Sequence, residues 1–141
     1  MIRKATLQDY QKIIQLCAAN KITVPFVKFE NTNQIFVFED KRQIKGVIGL
    51  EAPHIVSFLV VDSNFKRKKI ATKLLRYVRR NRAHLMIHIL IKNIAALRFF
   101  QNLGFKAVAE TNSPSVEETK VLMAWAQGCF SGFKKFNKED S

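Results

Sequence analysis

A chain of 141 residues, 48% of them hydrophobic, has the length and balance of a single compact domain with its own core. Lys and Arg total 24 against 11 Asp and Glu, a formal charge of +13. This favours anionic partners, whether nucleic acid, an acidic protein or a phosphorylated cofactor, although a basic surface that keeps a Phe-rich chain dissolved accounts for it equally well. The longest apolar runs, Val56 to Val61 and Leu85 to Ile91, fall far short of the roughly 20 residues needed to cross a bilayer, and His88 interrupts the second. No membrane partner is expected, and with no apolar h-region after Met1 the expectation is a cytoplasmic protein. Cys17 and Cys129 belong to no CxxC or Cys/His cluster, so reduced, inert thiols are expected and no metal site.

Ile2 to Ala5 reads as a short strand. Thr6 then caps a first helix carrying Asp9 and the stripe Tyr10, Ile13, Ile14, Cys17, which ends near Asn20. Ile35 to Phe38 and Ile44 to Leu50 are β-rich runs on either side of the polar segment Glu39 to Gln43, the pattern of a hairpin. His54 to Val61 is a third strand. Beyond the polar turn Asp62-Ser63-Asn64, apolar residues recur at Ile70, Leu74, Leu75 and Val78, while Lys73, Arg76, Arg79 and Arg80 fill the remaining positions. That spacing predicts an amphipathic helix with a strongly basic outer surface. Leu85 to Ile91 is nearly continuous in apolar character and predicts a strand buried on both faces, with His84 left in the preceding loop. Asn93 caps a helix carrying Ala96, Phe99, Phe100 and Leu103, which Gly104 closes in the left-handed conformation. Phe105 to Glu110 and Thr119 to Trp125 form a final strand pair. The order β, α, β, β, β, α, β, α, β, β contains a strand, helix, strand unit from His54 to Ile91, which requires a crossover and implies locally parallel strands. Residues 127–141, with Phe130, Phe133 and Phe136 among lysines, form a basic aromatic tail outside a domain spanning 1–126.

One segment concentrates chemistry. Phe65 to Leu75 joins the central strand to the basic helix and opens with four consecutive cations, Lys66, Arg67, Lys68 and Lys69. A helix N-terminus leaves backbone N–H groups unpaired and carries partial positive charge, so a phosphate is held there by both effects. The alternative is a solvated charge run that merely opens a helix.

The chain as a whole resembles the GCN5-related N-acetyltransferases. Ile2 to Tyr10 looks like that family's first strand and helix. Leu59 to Phe65 followed by Lys66 to Ala71 is similar to its acyl-CoA motif, a strand followed by Gln/Arg-x-x-Gly-x-Gly/Ala. Asn93-Ile94-Ala95-Ala96-Leu97-Arg98-Phe99-Phe100-Gln101-Asn102-Leu103-Gly104-Phe105 is similar to Asn-x-x-Ala-x-x-Phe-Tyr-x-x-x-Gly-Phe, the more specific of the two matches. The resemblance implies an α/β acyl-CoA N-acyltransferase fold, with a mixed central sheet flanked by helices and a cleft where His54 to Val61 and Leu85 to Ile91 splay apart. It also implies acetyl-CoA as co-substrate. Backbone groups of Leu59, Val60 and Val61 would pair with its pantetheine, and amides of Lys66, Arg67, Lys68, Lys69, Ile70, Ala71 and Thr72 would hold its pyrophosphate. Asn93 would contact it as well.

Two positions depart from the pattern. Lys69 replaces the first motif glycine, so close approach and backbone freedom are lost there, and an ordinary helical Lys69 would still donate its N–H. Phe100 replaces the tyrosine that commonly protonates the leaving thiolate, and general-acid help is typically worth about 10²- to 10⁴-fold in rate. His88 stands where the branch acting on ribosomal-protein N-termini carries a glutamate, and a neutral imidazole is a competent base near neutral pH. The alternative for His88 is a strand-interior histidine satisfied by a neighbour. His54 and Glu51 are weaker candidates, while Ser57 and Tyr77 have no assigned place. The expected activity is acetyl transfer to a primary amine by direct attack, the acceptor being unknown and of macromolecular size if the short segment Lys21 to Asn33 leaves that side open. The competing expectation is a catalytically weakened module that binds CoA, nucleic acid or an acidic protein.

Overall fold

A computed structural model describes residues 1–22, 34–51, 54–80, 82–111 and 119–127, without the side chains of 67 and 68. The segment proposed to shape the acceptor side falls mostly outside these residues, as does the tail beyond 127. The chain divides into two compact units, Met1–Arg80 and Asn81–Ser141.

The first unit contains β1 (Ile2–Lys4), a 3-10 turn (Leu7–Asp9), α1 (Tyr10–Ala19), β2 (Ile35–Asp40), β3 (Gln43–Glu51), β4 (Ile55–Val61), a second 3-10 turn (Ser63–Lys68) and α2 (Ile70–Arg79). Its strands run β1-β2-β3-β4, each antiparallel to the next. The entry to α1 follows the sequence closely. The Asp9 carboxylate accepts the Thr6 N–H at 2.8 Å, and its oxygens take two bonds from the Arg3 guanidinium at 2.8 and 3.0 Å. Arg3 also donates to Glu39 at 3.1 Å, which ties the helix entry to β2. The hairpin is tighter than the polar segment implied, because Asp40 pairs directly with Gln43 and only Lys41 and Arg42 form the loop. Their φ values of 52° and 63° are those of a type I′ turn, whose twist matches that of the flanking strands. Ile13, Leu16 and Cys17 of α1 pack with Val37, Val47 and Val60 of the sheet. From α2, Ile70, Leu74, Leu75 and Val78 are all buried, the four positions that the helical spacing picked out.

The second unit contains β5 (His84–Leu90), α3 (Ile94–Asn102), β6 (Lys106–Glu110) and β7 (Lys120–Ala126). The last two strands pair as expected, and β7 also pairs antiparallel with β5 along its whole length. Two expectations are corrected here. His84 is not in a loop: it opens β5 opposite Ala126, and the ladder continues past it through the Gln127 N–H to the Ala83 carbonyl at 2.7 Å. Nor is β5 buried on both faces, since only Leu85 and Ile89 are buried and His88 is exposed. An apolar run does not reveal which residues a neighbouring element covers. The end of α3 is a Schellman closure: Gly104, at φ 95°, donates to Gln101 at 3.0 Å, and Phe105 donates to Phe100 at 3.0 Å. The Phe100 and Phe105 rings then meet edge to face at 5.1 Å, the apolar contact that accompanies such a cap. Among the described residues no helix is long and apolar enough to cross a membrane.

Candidate functional site

The cationic segment is a structured turn. Val60 and Val61 at the end of β4 are buried, and Leu59 is half-buried. Asp62 then starts the 3-10 turn: its carboxylate accepts the Asn64 N–H at 3.0 Å, and its carbonyl accepts the Phe65 N–H at 2.9 Å. Lys66 is exposed. Lys69 is not in an ordinary helical conformation. It sits at φ 60° and ψ 28°, in the left-handed region. The lysine therefore reproduces the backbone shape that a motif glycine would supply, at a cost of roughly 1–2 kcal/mol for carrying a Cβ there.

That shape fixes where α2 starts. The Lys73 N–H bonds to the Lys69 carbonyl at 3.0 Å and is the first i to i−4 bond of the helix. The amides of Ile70, Ala71 and Thr72 precede it and have no such partner within α2, so they are the orphan donors of a helix start. Ten residues of aligned peptide dipoles place about half a positive charge at that end. Backbone donors and helix dipole meet at one point, a geometry suited to phosphate oxygens.

Two supporting residues escaped the sequence reading. Lys45 lies in the middle of β3 and is only 7% exposed. Its ammonium bonds to Asp40 at 2.9 Å and stands 4.3 Å from the centre of the Phe65 ring, while its carbonyl accepts the Asp62 N–H at 2.8 Å. Side chain and backbone of one residue thus hold the start and the middle of the turn, and the Lys45 hydrogen bond holds the Asp40 carboxyl below the usual carboxylate range. Gly46, next along β3, lets α2 lie close to the sheet. A Cβ there would come within 2.7 Å of Ile70 Cγ2 and 3.2 Å of Leu74 Cδ1. A lysine inside the apolar run Ile44 to Leu50, followed at once by glycine, was the available signal.

Beside the turn lies a pocket of about 250 Å³, with Lys12, Gln15 and Asn20 of the α1 side facing Asp62, Ser63 and Lys66. In the second unit His88 is an exposed residue in the interior of β5, opposite Leu122. Asn93 caps α3 as expected, its Oδ1 accepting the Ala96 N–H at 3.2 Å. Phe100 is 4% exposed and packs edge to face on Phe99 as well as on Phe105. Of the weaker candidates, Glu51 is exposed at the end of β3, and His54 is half-buried just before β4. Ser57 is half-buried within β4, and Tyr77 lies on α2 with its ring 5.6 Å from Phe36.

Residues 5–128 match the family model described as an acetyltransferase (GNAT) domain. Over 92 residues the chain is 25% identical to the peptidyl-lysine N-acetyltransferase YiaC of Escherichia coli strain K12. That match covers 65% of this chain and 63% of YiaC, less than two thirds of the relative's length. Among solved structures, the ribosomal-protein-S18-alanine N-acetyltransferase of Escherichia coli superposes with a TM-score of 0.73 at 16% identity, over 89% of this chain and 92% of that one. Arabidopsis thaliana Naa50, in complex with the bisubstrate analogue CoA-Ac-MVNAL, gives a TM-score of 0.73 at 12% identity, over 89% and 97% of the two chains. At such identities these two likenesses establish the fold.

Proposed function

The chain belongs to the GCN5-related N-acetyltransferase family, and from that premise we propose that it transfers an acetyl group from acetyl-CoA to a primary amine carried by a polypeptide. The observation that carries this reading is the left-handed Lys69 followed by the open amides of Ile70, Ala71 and Thr72. A substitution that had retired the site would leave no reason to keep a strained turn whose shape serves phosphate. A domain spanning 1–126 carries the activity, and the family match across 5–128 favours that extent.

Acetyl-CoA supplies an acetyl group already activated as a thioester. The chain's part is to bind, orient and move a proton. Amides of residues 66–72 hold the pyrophosphate, with Lys66 and Lys69 adding charge, and the backbone of Leu59, Val60 and Val61 pairs with the pantetheine. A backbone N–H of the same strand stabilises negative charge developing on the acetyl oxygen. Asn93 makes a further contact and keeps its role as helix cap. The amine nitrogen bonds to the acetyl carbon as the carbon–sulfur bond breaks, the thiolate leaves, and His88 takes the amine proton directly or through water. Exposure of His88 to solvent supports the water route. A polypeptide acceptor is favoured by YiaC, named for peptidyl-lysine, and by Naa50, held with a peptide-linked analogue.

The buried, hydroxyl-free ring of Phe100 favours a second reading, in which transfer is weakened and acetyl-CoA binding persists. Calorimetric titration with acetyl-CoA, followed by mass spectrometry of synthetic lysine and N-terminal peptides, tests both. No binding removes the enzyme reading, and binding without transfer selects the second. His88→Ala is expected to lower turnover at least tenfold with unchanged acetyl-CoA affinity, and a smaller loss would remove His88 as the base.

A further inference from the structure

On the first unit a groove of about 420 Å³ is lined by Met1, by Ile2 and Phe38 of the sheet, by Lys73, Arg76 and Tyr77 of α2, and by Arg80 at its C-cap. The last four stand at i, i+3, i+4 and i+7, one continuous stripe distinct from the buried stripe of Ile70, Leu74, Leu75 and Val78. Lys73, Arg76 and Arg80 are exposed, and no carboxylate is among the groove's described lining residues. Glu39, the next residue of β2 after Phe38, is tied to Arg3 at 3.1 Å. Two aromatic rings alternate with the charges. The Lys73 ammonium stands 5.7 Å from the Phe38 ring centre, and the Arg80 guanidinium 5.9 Å from that of Tyr77. Tyr77 is braced from below by Phe36 at 5.6 Å.

We propose that this groove binds single-stranded nucleic acid, with phosphates on Lys73, Arg76 and Arg80 and a base lying between a cation and the Phe38 or Tyr77 ring. The chain's charge of +13 supplies the attraction that brings a polyanion there. A run of cations alone would suit an acidic peptide as well. Aromatic faces set between the cations select for bases, since every base offers a π-face and an acidic side chain offers none. Three cations spread over eight residues, roughly 10 Å of helix axis, suit a short stretch of backbone. A duplex would keep its bases stacked and out of reach of the two rings. The inference does not depend on the chain transferring acetyl groups.

Fluorescence anisotropy of a labelled 12-nucleotide oligouridylate with the full chain tests the proposal. Binding should weaken with salt at a logarithmic slope of about −2, from about 0.7 per phosphate over three contacts. Arg76→Gln with Arg80→Gln should raise Kd at least tenfold and bring the slope to about −0.7. Phe38→Leu should raise Kd severalfold with the slope unchanged, and saturating acetyl-CoA should leave binding as it was. Both arginines are exposed, and circular dichroism of the variants confirms that they fold. An unchanged Kd in the double arginine variant, displacement by acetyl-CoA, equal affinity for the duplex, or displacement by polyglutamate at matched charge would each overturn it. The last result would assign the groove to an acidic protein.

Discussion

Lys69→Gly isolates the left-handed backbone that precedes α2. At φ 60° a Cβ costs roughly 1–2 kcal/mol, and glycine removes that cost. Glycine also widens the unfolded ensemble, returning about 0.4–1 kcal/mol of the gain. The net expectation is a stabilisation of about 0.5–1 kcal/mol. With an unfolding entropy near 2.1 cal/mol/K per residue over 141 residues, this raises Tm by about 2–3 °C. Lys69→Ala keeps the Cβ and loses only the exposed methylenes and ammonium beyond it, so its Tm should stay within about 1 °C of the parent. Differential scanning calorimetry of the three proteins reads this directly. Acetyl-CoA titration adds a second arm: if backbone amides hold the pyrophosphate, both variants lose one exposed charge and should bind about two- to threefold more weakly. A lower Tm for Lys69→Gly would refute the left-handed assignment. Equal losses of more than tenfold in both variants would mean that the ammonium, and not the amides, carries the binding.

Gly46→Ala should destabilise by about 1–3 kcal/mol in a denaturant titration and weaken acetyl-CoA binding in parallel, because its Cβ would press on Ile70 at 2.7 Å and move the start of α2. Asp9→Asn should cost about 2–3 kcal/mol at pH 7, since it breaks a bidentate bond to Arg3 from a side chain only 10% exposed. The Arg3 hydrogen bonds lower the Asp9 pKa on folding, so this stabilisation is present above about pH 4 and disappears as pH falls through the lowered value. Urea titrations of parent and variant should accordingly converge at low pH. Burial pushes the Cys17 thiol up to about 11, so iodoacetamide at pH 8 should modify it only after unfolding. Phe100→Tyr should leave turnover within about threefold of the parent and cost about 1–3 kcal/mol, because the new hydroxyl would enter a closed aromatic cluster.

The elements were legible where one physical signal dominated. Four apolar positions of α2 at helical spacing are the four buried ones, and Thr6, Asn93 and Gly104 act as caps or closures because each has a local task that its chemistry fits. Signals that depend on the far side of an element were not legible. The polar run Glu39 to Gln43 looks like a five-residue loop, yet Glu39, Asp40 and Gln43 belong to the ladder, Glu39 and Asp40 held by ion pairs with Arg3 and Lys45. Apolar β5 looks buried on both faces, yet only Leu85 and Ile89 are buried and His88 is exposed.

Lys69 shows why the site itself was only half legible. Replacement of a motif glycine is read from sequence as loss of a conformation, because residue identity is visible and backbone dihedrals are not. The conformation persists when surrounding contacts together outweigh the roughly 1–2 kcal/mol that a Cβ costs there. Here Asp62 fixes one end of the turn, Lys45 clasps it through Phe65 and the Asp62 N–H, and Gly46 seats Ile70 against the sheet so that α2 must begin where it does. None of those residues belongs to the motif. The shape proposed to hold phosphate is therefore a property of β3 as much as of the turn, so substitutions at Lys45 or Gly46 should damage acetyl-CoA binding more than exchange of Lys69 itself.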